Sequence, residues 1–186
     1  MEVVEYIEET HQYLIDGILV PSVTQILSSI LPSKYADVPR SVLTNKADFG
    51  THVHEAVQNN DPTGLTMLEK MCFQEWERIR DKFYINPIEQ EQIVHYKDIF
   101  AGRFDMVADV NYYRCLIDIK TTATLDSEAL SWQLGMYKMA YKKPIENCYC
   151  LWLPKKRVGE LRLIIPKTKK EIKKKLYELG YTEKDG

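Results

Sequence analysis

Several architectures are excluded by what this chain of 186 residues lacks. It has four cysteines, Cys72, Cys115, Cys148 and Cys150, and no CxxC pair among them, which argues against a zinc ribbon or knuckle. Cys148-x-Cys150 on a strand directs both thiols to one face. All four read as small thiols, buried or at the surface, kept reduced. No stretch rich in Gly, Pro or Ser divides the chain, and no internal repeat is present. A single domain over 1–186 is therefore expected, long enough for a substantial core and hardly long enough for two. No apolar run approaches a membrane span, so no membrane partner is expected. The opening Met1-Glu2-Val3-Val4-Glu5 is acidic and unlike a signal peptide, which points to a cytoplasmic location. A phosphate-loop motif is absent, so the chain carries no motor of its own.

The composition that remains, 45% hydrophobic and 28% charged, is that of an ordinary globular protein. A net charge of −2 argues against a general coat for nucleic acid. Its distribution is uneven. Residues 155–186 carry a balance of +6 and the rest −8, with Lys167, Lys169, Lys170, Lys173, Lys174 and Lys175 crowded together. Such a face can track a phosphate backbone or simply be solvated.

Periodicity and punctuation predict the elements. A small hairpin is expected over 3–20 around Asp16-Gly17, and then a short helix over Val23–Ile30 capped by Ser22. Residues 31–40 read as a loop. Helices are predicted from Ser41 to about Asn59, with Val42, Phe49, Val53, Ala56 and Val57 as the apolar stripe, and from Leu65 to about Tyr84. The second has Leu68, Met71, Cys72, Trp76, Ile79 and Phe83 as its core stripe. Strands follow at about Ile88–His95, Ile99–Val110 and Cys115–Thr121, then a helix opened by Asp126. Strands at Cys148–Leu153 and Leu161–Ile165 precede a last helix capped by Thr168. This order gives a mixed α/β (α+β) domain: one central mixed sheet flanked by helices.

The informative stretch is Gly102-Arg103-Phe104-Asp105 followed by Ile117-Asp118-Ile119-Lys120. Ionised groups on strands that otherwise read as buried are costly unless something pairs with them. Side chains alternate along a strand, so Asp118 and Lys120 share a face, and Asp105 joins them if the connecting loop is even. A two-residue loop at Asn111-Tyr112 sets Asp105 opposite Asp118; a four-residue loop sets it opposite Lys120. Two close carboxylates repel unless a cation lies between them. Oxygen ligation with open positions suits Mg²⁺ or Mn²⁺. A metal beside a lysine reads as phosphodiester hydrolysis, whereas an Asp105–Lys120 salt bridge is the purely structural alternative. Gln133 and Tyr137, four apart on the following helix, share a face that can reach the site or DNA phosphate. His52 and His54 stand two apart on a helix and point away from each other, so one at most joins a given ion. Glu89 and Glu91 share a strand face and can add a carboxylate.

Taken together, Gly50-Thr51-His52-Val53-His54-Glu55, Gly102-Arg103-Phe104-Asp105, Asp118-Ile119-Lys120-Thr121-Thr122 and Gln133-x-x-x-Tyr137 resemble the PD-(D/E)XK nuclease superfamily. The likeness is to its RecB-like branch, which includes phage recombination exonucleases and the mitochondrial genome maintenance exonuclease. Pro21-Ser22-Val23-Thr24-Gln25-Ile26-Leu27 resembles the lead-in of phage members. The resemblance implies a restriction-endonuclease-like core and a Mg²⁺- or Mn²⁺-dependent deoxyribonuclease, an exonuclease before an endonuclease. Its metal ligands would be His54, Asp105, Asp118 and the Ile119 carbonyl, with Glu91 at an upstream acidic position. Lys120 would be the catalytic lysine, working with Asp105 and Asp118, and Gln133 and Tyr137 would support the site. Lys169, Lys170, Lys173 and Lys174 would guide DNA. The second acidic position is Asp118 where many relatives have Glu. Some relatives hold an iron–sulfur cluster with one early and three late cysteines; here only Cys148 and Cys150 come late, so no cluster is expected. DNA is the implied partner, with a recombinase, single-strand-binding protein, helicase or further copies of the chain supplying processivity, in a host cytoplasm for a phage protein. The alternative is an inactive DNA- or protein-binding module on the same fold.

Overall fold

The structure, a computed structural model, describes residues 3–31 and 40–182, and of 40–46 the backbone alone. Its centre is a five-stranded sheet in sequence order: β4 (Asn86–Tyr96), β5 (Phe100–Val110), β6 (Tyr113–Lys120), β7 (Asn147–Trp152) and β8 (Glu160–Ile164). Neighbours pair antiparallel except β6 and β7, which run parallel. That exception follows from α4 (Ser127–Ala140), the crossover helix between them. The expected mixed sheet flanked by helices is thus present.

Helices α1 (Val23–Ile30), α4 and α5 (Lys169–Glu178) cover one face; α2 (Arg40–Asn59) and α3 (Met67–Phe83) cover the other. Each face has its own core. Phe100, Phe104, Leu116, Cys148 and Cys150 pack with α1, α4 and α5. Met106, Ala108, Ile117, Ile119 and Leu151 pack with Phe49 and Val53 of α2 and Trp76 and Ile79 of α3. Both late cysteines therefore face the same way, inside a core, and burial pushes the Cys150 thiol up to about 12.

Local sequence rules account for the helix starts. Ser22 and Gln25, Thr66 and Glu69, and Thr168 and Glu171 form reciprocal capping boxes. The third of these lies at the expected cap. The second starts α3 at Met67 rather than Leu65, because Thr66 stops the backbone there. Within α3 the stripe is shifted: Phe73 is buried, whereas Met71 is exposed. Of the expected loop at 31–40, residues 32–39 lie outside the described residues, as does the side chain of Val42, and Arg40 already belongs to α2. The N-terminal hairpin has a third strand. β1 (Val4–Ile7), β2 (Gln12–Ile15) and β3 (Ile18–Val20) form an antiparallel sheet with a two-residue turn at Asp16-Gly17. This small sheet docks on β5 through Ala101, which bridges Ser22 and donates its N–H to the Pro21 carbonyl.

Candidate active site

The β5–β6 turn decides whether the acidic hairpin assembles. Val110 pairs with Tyr113, so the loop is Asn111-Tyr112, and both residues have positive φ. That is the turn geometry whose twist suits a tight hairpin. The loop is even, and Asp118 and Lys120 follow Leu116 onto one face. Regular alternation fails at Asp105. Phe104 and Met106, two apart, belong to opposite cores, so β5 changes faces at Asp105. The neighbouring strand breaks at the matching place. Gln90 pairs with Met106 and Gln92 with Phe104, and Glu91 between them is left-handed at φ 50°. A non-glycine residue in that conformation is costly and clusters at functional sites.

The break frees the Asp105 side chain to act as a main-chain substitute. The β5–β6 ladder ends at Met106 and Ile117. Beyond it, Asp105 Oδ2 accepts the Ile119 N–H at 2.6 Å. The same oxygen lies 3.9 Å from His54 Nδ1 on α2. His54, Glu91 and Asp105 each bring one donor atom within 4.8 Å of the others. His52 points elsewhere, to Glu69 at 2.8 Å, as its spacing from His54 requires. Glu89 and Glu91 part company, contrary to the expected shared face. Glu89 bonds Tyr141 and Lys143, and Glu91 pairs with Arg103 at 2.9 Å. The left-handed backbone at Glu91 is the reason.

Asp118 is beside this triad without being one of its three residues. It is buried, and Lys120 Nζ lies 2.7 Å from its Oδ2. The ammonium sits off the directions of an aligned hydrogen bond, so that oxygen has an ion pair but no well-placed donor. Burial raises the Asp118 carboxyl to about 6, against the pull of Lys120, with the Asp105 charge adding to the rise. Burial also works against the Lys120 charge, but Asp118 and Asp105 outweigh it and hold the ammonium above its usual range. The pair is thus a charged, half-desolvated unit with spare acceptor capacity, next to three further donors. An imidazole and carboxylates suit a hard divalent cation; the Cys150 thiol, in register with Asp118 on the next strand, is kept protonated by burial.

The helix face carrying Gln133 and Tyr137 closes the site. Burial, followed by the Asp105 and Asp118 charges, pushes the Tyr137 hydroxyl well above its usual range, with Gln133 opposing, so the phenol stays protonated. Gly102 lets Tyr137 in: a Cβ there would stand 2.9 Å from both Tyr137 Cε1 and Val23 Cγ2. Beside Tyr137 opens a cleft of about 230 Å³ lined by Tyr6, His11, Tyr13, Thr24 and Arg103. Arg103 lies over the Tyr6 ring at 5.3 Å while holding Glu91, a link that sequence spacing does not reveal. On the other side, a Cβ on Gly50 would be 3.4 Å from Thr121 Oγ1, so α2 packs close against the end of β6.

Lys169, Lys170, Lys173 and Lys174 lie on the exposed face of α5. That helix packs on α4 at Gly135, where a Cβ would meet the Lys167 carbonyl at 2.7 Å and Ile172 at 3.0 Å. Gly135 is about 200° around the helix from both Gln133 and Tyr137. The lysines of α5 therefore stand behind α4 from the acidic cluster.

The sequence model of the PD-(D/E)XK nuclease superfamily matches residues 61–185. The stretch includes Glu91, Asp105, Asp118, Lys120, Gln133 and Tyr137; His54 precedes it. No curated protein matches the chain. The crystal structure of SSO0001 has a similar fold, with a TM-score of 0.51 at 15% identity, covering 86% of this chain and 73% of that one.

Proposed function

Because this chain belongs to the PD-(D/E)XK nuclease superfamily, we propose that it is a metal-dependent deoxyribonuclease, acting from DNA ends as an exonuclease of the phage type. The observation that carries the reading is the convergence of His54, Glu91 and Asp105 within 4.8 Å, beside the Asp118–Lys120 pair. His54, Asp105 and Asp118 hold the ion in this reading, with Glu91 and the Ile119 carbonyl completing the donors. Mg²⁺ and Mn²⁺ fit such donors, and when bound the ion lowers the pKa of a water and offsets charge on a phosphoryl oxygen.

The remaining work belongs to the side chains. Lys120, kept cationic by Asp118 and Asp105, orients the attacking water and stabilises the charge that develops at phosphorus. Tyr137 stays protonated and donates, with Gln133, toward the site or the adjoining phosphate. Glu91 needs a partner for its carboxylate, and Arg103 holds it in place. Lys169, Lys170, Lys173 and Lys174 take an outlying part of the DNA. Recombination or repair is the setting proposed, with a recombinase, single-strand-binding protein or helicase as the associated partner.

Digestion of end-labelled DNA with Mg²⁺ or Mn²⁺ tests this. Wild type should cut, and Asp118→Ala and Lys120→Ala should each lose about 100-fold or more. An inert wild type, or variants as fast as wild type, overturns the nuclease reading. Linear DNA should be degraded and a covalently closed circle spared; cutting of the circle replaces exonuclease by endonuclease action.

A further inference from the structure

Most described cations near carboxylates are paired with them: Arg103 with Glu91, Arg114 with Asp109, Lys143 with Glu89, Arg162 with Glu160, Lys167 with Glu128 and Lys175 with Glu178. Lys169, Lys170 and Lys173 of α5 have no such partner among the described residues, and neither do Lys155, Lys156 and Arg157. The latter three are consecutive and exposed.

Their place in the fold is specific. Lys120 at the end of β6 is in register with Trp152 of β7. One residue on, the Leu153 N–H donates to the Lys120 carbonyl at 2.7 Å, and Trp152 Nε1 donates to the Thr122 carbonyl at 2.7 Å. The chain then turns through 154–159, so the basic triplet leaves the sheet at the end that carries Lys120. Lys155 Nζ lies 3.8 Å from the centroid of Phe49, which precedes Gly50 on α2, the helix of His54. The triplet is thereby tied to both elements that frame the acidic cluster.

The loop is anchored at both ends. Pro154 is buried. At the far end Gly159 donates its N–H to Glu75 Oε2 at 2.7 Å, and its carbonyl accepts from Arg78 Nη2 at 2.8 Å. A Cβ on Gly159 would press on Glu75, Ile79 and Leu153. Lys156 is left-handed at φ 59°, a conformation that disfavours non-glycine residues and here sharpens the turn. Three unneutralised cations on an anchored turn, beside a site that handles phosphates, match a run of backbone phosphates. The arginine adds a planar fork suited to one of them.

We propose that Lys155, Lys156 and Arg157 clamp the sugar–phosphate backbone of the DNA strand next to the bond that is cut. The proposal rests on the nuclease reading for the identity of the bond, and on the loop alone for the contact. The lysines of α5, behind α4, are secondary to it.

Fluorescence anisotropy with fluorescein-labelled single- and double-stranded oligonucleotides tests the clamp, in calcium and again in EDTA. K155A/K156A/R157A should weaken binding at least tenfold at about 100 mM salt and flatten the log Kd against log salt slope by about two to three. The charge-keeping K155R/K156R/R157K should restore both, which separates a lost contact from a lost fold. K169A/K170A/K173A/K174A should change the slope less. Equal affinity and slope for wild type and the triple alanine variant overturn the proposal, as does a larger loss from the α5 variant. The two readings fail separately. A wild type that binds through the loop but cuts nothing in Mg²⁺ or Mn²⁺ removes the nuclease and leaves the clamp. A wild type that cuts, with a triple variant that binds and cuts equally well, removes the clamp alone.

Discussion

Gly102 is chosen by space rather than by backbone freedom. It opens the Gly-Arg-Phe-Asp stretch, and its missing Cβ admits both Tyr137 and Val23. Gly102→Ala should destabilise the protein by about 1–3 kcal/mol, the cost of an extra carbon in a closed core. A lowered Tm should come with weaker DNA cleavage, since the ring that moves is the one facing Asp105 and Asp118. An unchanged Tm would mean that the neighbours yield without cost. Tyr112 is the opposite case. It is 92% exposed and sits at φ 73° in the hairpin turn. Tyr112→Gly should raise stability by about 1 kcal/mol, read as a shift in the denaturant midpoint, because glycine adopts that conformation freely. At this scale the sequence was legible where the rule was local, as with Ser22 and Thr168 at helix starts, whereas the expected start at Leu65 passes over the cap at Thr66. It was silent at Glu91, because nothing about a glutamate between two glutamines announces a left-handed backbone.

Elements are joined here by a few carboxylates that reach across to a neighbour. Glu75 of α3 binds Arg78 on its own helix and the Gly159 N–H of the loop before β8. The Arg78 bond, helped by the Gly159 N–H and opposed by burial, lowers the Glu75 carboxyl below its usual value. A carboxylate whose pKa is depressed by folding stabilises the protein above its unfolded pKa, about 4.3, and loses that contribution as pH falls through the folded value. Glu75→Gln should therefore melt lower than wild type at pH 7, and the two melting curves should converge as the pH drops toward about 3. A constant gap across that range would assign the effect to packing. The strands were read to within a residue or two, because their alternation and turn residues are local. The third N-terminal strand was not, since Val4–Ile7 is short and acquires its meaning only on pairing with β2. The reversal of β5 at Asp105 was also hidden: strand parity assumes an unbroken pleat, and the break belongs to two strands at once.

Across the whole molecule, donors from three distant parts of the chain meet at one point: His54 on α2, Glu91 on β4, and Asp105 on β5. Bringing them together commits both cores, so occupancy of the site should register in global stability. Mn²⁺ at about 100 times its dissociation constant should add about 2.7 kcal/mol to unfolding, seen as a rise in Tm over EDTA. The rise should shrink in His54→Ala and vanish in Asp105→Asn. A metal shift that survives both substitutions places the ion elsewhere. The order of helices and strands was readable from the sequence, and so was the mixed sheet. Which lysines face the acidic cluster was not: α5 has the densest charge, yet Gly135 seats it behind α4. Charge density in a sequence does not report distance.

One acceptor has a practical consequence. Asp105 substitutes for a main-chain carbonyl by taking the Ile119 N–H. A truncated residue there would leave a strand amide without its partner as well as emptying the site, so lost turnover and lost folding would be confounded. Asparagine keeps an oxygen for the amide and discards the charge. For trapping an uncut substrate on an intact protein, position 105 should carry Asn, not Ala.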